Sequence, residues 1–142
     1  MRAALDAIAA FVREHHVLTL ATSQDGSPYA TPLFYAYDDV RNCFVFASAE
    51  ETEHTAQMKA NPFVAAGIAL ETDTVGKIQG VQCRGRVVVA DAADARCYYA
   101  RFPYARAMLP TLWRLEPSWM KLTDNRFGFG KKLLWDAAAP VK

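Results

Sequence analysis

The chain has 142 residues, 52% of them hydrophobic and 22% charged, which suits one domain with a real core. A formal net charge of +1 leaves no strong field to draw nucleic acid or an anionic membrane. No apolar run approaches the roughly 20 residues of a membrane span, and the N-terminus lacks the basic start and apolar run of a signal peptide.

The three cysteines, Cys43, Cys83 and Cys97, are odd in number and far apart. They make neither a disulfide framework nor a metal motif, and read as buried, reduced thiols of a cytoplasmic protein. Ala3 to His15 reads as a helix, because Leu5, Ile8, Ala9 and Val12 recur on one face. His15 and His16 follow, but adjacent helical residues point about 100° apart, a poor geometry for gripping a metal together.

Three short strands come next, within Val17 to Ser48. Val17 to Thr22 is the first. Asp25-Gly26 then makes a hairpin signal, since both residues tolerate positive φ. Tyr29 to Tyr37 is the second strand, with Pro32 inside it; a proline there predicts an edge or bulge, with backbone groups left open toward a ligand. Cys43 to Ser48 completes the meander, which needs cover for its apolar face.

Ser48-Ala49-Glu50-Glu51 has the form of a capping box and predicts a second helix from there to about Ala60, stopped by Asn61-Pro62. Glu50, Glu51 and Glu53 suit its N-terminal dipole. A helix start directly after a strand is also a natural anion pocket, with Ser48, Thr52, His54 and Thr55 as its hydrogen-bonding side chains. Phe63 to Leu70 reads as a central strand, apolar on both faces. Lys77 to Ala90 reads as a long fifth strand, whose Gly80 and Gly85 mark a bulge or a close approach. Asp91 caps a helix from Ala92 to Ala100, and Tyr104 to Leu109 adds one helical turn. Tyr98, Tyr99, Phe102 and Tyr104 read as a packing cluster. Leu112 to Thr123, bent near Pro117, and Lys131 to Trp135 are the last strands. The tail from Ala137 reads as loose. The fold class is α+β: a mostly antiparallel, six- to seven-stranded barrel, closed or partly closed, with flanking helices, in one domain over residues 1–142.

No catalytic motif stands unaided: Gly-x-Ser-x-Gly, His-Glu-x-x-His and the phosphate loop are all missing from the sequence. The run Gly128-Phe129-Gly130-Lys131-Lys132 has too few glycines for a phosphate loop and reads as a hairpin or an anion-facing loop.

Three stretches resemble the pyridoxamine 5'-phosphate oxidase-like superfamily of FMN-binding split β-barrels: Val17 to Thr22 with Asp25 to Pro32, Phe46-Ala47-Ser48 leading to Met58 to Ala65, and Gly80 to Val87. Lys121 to Asn125, Gly128 to Lys132 and Trp135 are similar to a small bacterial subgroup, the YhbP-like family. The resemblance implies a homodimer with FMN sites at the subunit interface. It places the flavin ring against Ala30, Thr31, Pro32, Ala47 and Ser48, and the phosphate near Thr52 and His54, where His54 stands at the usual lysine position. Gln82, and Lys131 or Trp135 from the other subunit, would complete the pocket. The implied activity is that of an FMN-dependent oxidoreductase on a small molecule. The alternative is a flavin or other small-ligand carrier without turnover; haem, a lesser option, would need an axial ligand, His54 or a histidine in the tail, and the tail carries none. The arginine-rich substrate signature of the true vitamin B6 oxidases is not evident.

Overall fold

The computed structural model describes residues 2–128 and 131–139. Helix α1 (Arg2–Glu14) precedes β1 (Val17–Gln24), β2 (Ser27–Asp38) and β3 (Cys43–Ala47). Helix α2 (Glu53–Ala60) follows, then β4 (Phe63–Ala69), β5 (Gln79–Val89), α3 (Ala92–Arg101), β6 (Leu112–Asp124) and β7 (Lys132–Asp136). The sheet order is β3-β2-β1-β4-β5-β6-β7, and β3 also pairs with β6. Six antiparallel strands therefore close into a barrel, and β7 is added outside the ring.

Local chemistry sets the turns. Asp25 and Gly26 both take positive φ, 54° and 79°, the pair of values a tight hairpin needs. Asn42 also takes positive φ, and its side-chain oxygen accepts from the Tyr37 hydroxyl at 2.6 Å. Alternation then fills the barrel. Leu18, Leu20, Tyr35, Phe44, Phe46, Val81, Leu115 and Met120 point inward, and α1 plugs one opening with Ile8 and Val12. Burial of each such side chain contributes about 1.5–3 kcal/mol before entropy is counted. Tyr35 also donates to the Val12 carbonyl at 2.5 Å, which ties plug to barrel.

Four expectations need correction. Ser48 does not cap α2: its amide donates to the Thr111 carbonyl at 3.0 Å and extends the β3–β6 closure. Thr52 is the cap, its side chain accepting from the Thr55 amide, so Glu50 and Glu51 precede the helix. The reciprocal capping box lies instead at Asp91 and Asp94 of α3. Strand β4 is central, between β1 and β5, but only one of its faces is buried, and Phe63 is 69% exposed. The chain before β5 makes a short 3-10 turn at Val75–Lys77, so the strand starts at Gln79. Tyr98, Tyr99 and Phe102 do pack together, whereas Tyr104 is 91% exposed on a 3-10 segment. Phe129, Gly130 and the last three residues of the tail lie outside the described residues. Among the described residues, no helix is long and apolar enough to cross a membrane.

Candidate functional site

Strand β2 has two unlike halves. Over Tyr35–Asp38 it pairs with β3, and on the other side the Tyr35 amide donates to the His16 carbonyl at 3.0 Å. Over Ser27–Phe34 it pairs with β1, its only strand partner there among the described residues. The proline in that half costs no ladder bond on the open side, and the free edge presents backbone amides and carbonyls in a row. Ala30, Thr31 and Pro32 lie there. Ala30 and Pro32 share the outer face of the sheet, opposite Ala21 and Thr19, while Thr31 stands opposite buried Leu20.

The β3–α2 connection brings a polar cluster together. Ser48 Oγ lies 2.5 Å from His54 Nε2, and Thr52 Oγ1 lies 3.4 Å from the same nitrogen. Thr52 also donates to Thr55 Oγ1 at 2.8 Å, and Ala47 leads into the cluster at the end of β3. Ser48, His54 and Thr55 are all buried. The indole N–H of Trp113 on β6 donates to the Ser48 carbonyl at 3.2 Å and fixes the turn. Beneath it, Thr22 donates to Gln57 at 2.7 Å, joining β1 to α2. Trp113 and Gln57 are supporting residues that sequence reasoning missed, since both act across long chain separations.

Electrostatically the cluster holds hydroxyls and an imidazole but little free positive charge. Burial lowers the His54 pKa below 6.5, so the ring is neutral at pH 7. Lys59 is paired with Glu50, and Glu53 sits in the first turn of α2. The cluster suits hydrogen bonding to an oxyanion rather than neutralising it. Burial pushes the Cys43 and Cys83 thiols up to about 12, far from a reactive thiolate.

The lowered His54 pKa has a measurable consequence. A histidine kept neutral by the fold contributes stability above its unfolded pKa of about 6.5, and that contribution is lost as the pH falls through the lower folded pKa. The urea midpoint is expected to drop between pH 7.5 and pH 5, and to drop less in His54→Gln. An equal drop in both proteins would show that the imidazole is not the titrating group; His15, also lowered by burial, is common to both.

The other sequence candidates are not gathered at this cluster. Gln82 lies on the outer face, in the row Pro32–Thr19–Gly67–Gln82–Lys121, so it shares the face of Pro32 three strands away. Lys131 lines a groove with Phe11, Glu14 and Arg126 near α1. Trp135 lines a different one with Tyr37, Asn42 and Arg13.

Comparison with known proteins gives a consistent picture. The sequence matches the family described as pyridoxamine 5'-phosphate oxidase over residues 4–123. It is 33% identical over 135 residues to a UPF0306 protein of Yersinia pestis, covering 92% of each chain. Among solved structures, a haem binding protein of Mycobacterium smegmatis superposes with TM-score 0.80 at 16% identity, over 94% of this chain and 58% of that one. An FAD-binding protein of Mesorhizobium loti superposes with TM-score 0.70 at 18% identity, over 82% and 89%. These two likenesses are likenesses of fold.

Proposed function

The chain belongs to the pyridoxamine 5'-phosphate oxidase-like family of split barrels, and from that membership we propose that it binds FMN and acts as an oxidoreductase on a small molecule. The observation that carries the reading is the open half of β2 together with the Ser48–His54–Thr52 cluster after β3, whose Ser48 and His54 are buried. An edge of free amides and carbonyls suits the polar rim of a flat heterocycle, and the cluster suits the phosphate at its far end.

In this reading Ala30, Thr31 and Pro32 meet the ring with backbone atoms and little side-chain bulk, and Ala47 and Ser48 wall its other side. Thr52, already fixed as the α2 cap, and His54 hold the phosphate by hydrogen bonds. FMN supplies the electron-transfer chemistry when bound. The residues of the chain orient it, exclude water and set its local field, and none of them has to act as a nucleophile.

The outer face of the barrel suits a second copy. Ala21, Ala30, Ala65, Gly67 and Ala69 make it flat, and Val17, Phe34 and Phe63 leave apolar surface exposed there. A homodimer packed on this face would bring Gln82 of one copy toward the open β2 edge of the other. A cytoplasmic setting is in keeping with three free cysteines.

A sample loaded with FMN is expected to scatter light as a dimer of the 15.8 kDa chain. Its yellow band should bleach anaerobically on adding a nicotinamide donor and return with an acceptor. A dimer that keeps its flavin oxidised under every donor would be a flavin carrier. The haem-binding neighbour motivates a haem arm of the same assay, in which a Soret band abolished by His54→Ala would replace the flavin reading.

A further inference from the structure

We propose that Arg84, Trp119 and Lys121, on the outer face of β5 and β6, form an anion-recognising element for the phosphate of an aromatic phosphate ester. The element is built by a defect in the sheet. Opposite Ser118 the β5–β6 register shifts between Arg84 and Gly85, and the two strands close so tightly that a Cβ on Gly85 would lie 2.3 Å from the Glu116 carbonyl oxygen. A bulge re-aims the side chains that flank it. Here it leaves Trp119 directly across from Arg84, and Lys121 across from Gln82. The Arg84 guanidinium sits 4.9 Å from the indole centroid and the Lys121 ammonium 5.8 Å from it.

Two cations on one ring repel each other, and the ring face offsets only part of that repulsion. The other arginines of β5 and β6 are balanced, Arg86 by Glu116 and Arg114 by Asp94, and Arg126 just after β6 is balanced by Asp124. Among the described residues, neither Arg84 nor Lys121 has a carboxylate partner. The neighbouring Asp136, across from Trp119, accepts from the Ala138 amide in the turn after β7. Beside Arg84 runs a groove of about 490 Å³ with an apolar floor of Ala21, Phe63, Ala65 and Pro28. A flat floor with Arg84 at its edge, and Trp119 and Lys121 beside Arg84 on the neighbouring strand, fits a planar heterocycle carrying a phosphate.

Such a ligand has two sources: FMN held between two copies, whose phosphate would gain the positive charge that the His54 cluster lacks, or the pyrophosphate of a nicotinamide dinucleotide donor. The first source rests on the flavin reading and the second does not. Calorimetric titration of Arg84→Gln/Lys121→Gln and of the native chain with inorganic pyrophosphate, FMN, riboflavin and NADPH separates them. Pyrophosphate affinity is expected to fall by about tenfold or more in the double variant. FMN falling alike while riboflavin is unchanged assigns the flavin phosphate, and NADPH falling with FMN unchanged assigns the donor. Trp119→Phe, which keeps an aromatic face, is expected to bind as the native chain does, and Trp119→Leu to bind more weakly. The proposal is overturned if the double variant binds all four ligands as the native chain does, if riboflavin weakens equally with FMN, or if the native chain takes no pyrophosphate at about 5 mM. If the native chain binds neither FMN nor riboflavin, the flavin reading falls, and the pyrophosphate and NADPH arms still decide this one.

Discussion

Gly85→Ala is expected to destabilise the barrel by about 3 kcal/mol, read as a lowered urea midpoint at unchanged slope. The reason is space. An added Cβ would lie 2.3 Å from the Glu116 carbonyl oxygen and 3.0 Å from Leu115 Cδ1. The first of these is backbone held in the β5–β6 ladder at the register shift, and the second belongs to a fully buried core residue. Neither can swing away as the end of an exposed side chain would. Gly67→Ala is the control. Its added methyl meets nothing within 4 Å, so folding of the single chain should change by less than about 0.5 kcal/mol. Dimerisation, by contrast, should weaken if the flat outer face receives a second copy closely. A Gly85→Ala protein as stable as Gly67→Ala would show that the two strands do not approach as described.

Asp94→Ala carries the second large expected loss, again about 3 kcal/mol. The Asp94 side chain is 0% exposed and joins three elements. It is paired with Arg41, from the turn after β2, and with Arg114 of β6, the latter at 2.8 Å. It also accepts from the Asp91 amide at 2.9 Å, closing the reciprocal cap of α3. Its removal takes a buried carboxylate from two guanidinium groups, and one of the two hydrogen bonds of the reciprocal cap, at once. The loss sits at the low end of the range for a broken buried pair, because Arg41 is a third exposed and keeps Asp38 and Asp91 as partners. Asp94→Asn keeps an oxygen for the cap but not the charge, and should fall between Asp94→Ala and the native chain in thermal unfolding. Equal losses for both variants would mean that charge pairing contributes nearly everything and the cap almost nothing.

Much of this barrel is legible in the sequence, because its turns and strands are specified locally. Asp25-Gly26 declares its hairpin through backbone conformation alone, and Asp91 announces α3 three residues ahead of its reciprocal partner. What escapes is set by distant parts of the chain. Ser48 carries the local pattern of a cap, yet its amide is committed to Thr111, so α2 starts later, at Thr52. Phe63 to Leu70 has no polar side chain at any position, so its sequence does not show which face meets the core. The meeting of Ser48 with His54 follows from that delayed helix start, and the meeting of Arg84 with Trp119 follows from a register shift. Neither leaves a periodic signal. Family resemblance points to β2, the end of β3 and the start of α2 as the elements of the candidate site. The geometry then separated Ser48, Thr52 and His54, which touch, from Gln82, Lys131 and Trp135, which lie on other faces of the same chain.

The most direct test of the central claim is a titration of the purified chain with FMN, followed by flavin absorbance and tryptophan quenching, beside Thr52→Ala/His54→Ala. Saturable binding of one flavin per chain, weakened by about tenfold or more in the double variant, is the predicted result. No binding at about 100 μM FMN, equivalent to an affinity weaker than about −5.5 kcal/mol, would contradict it and leave a split barrel whose open edge serves another ligand.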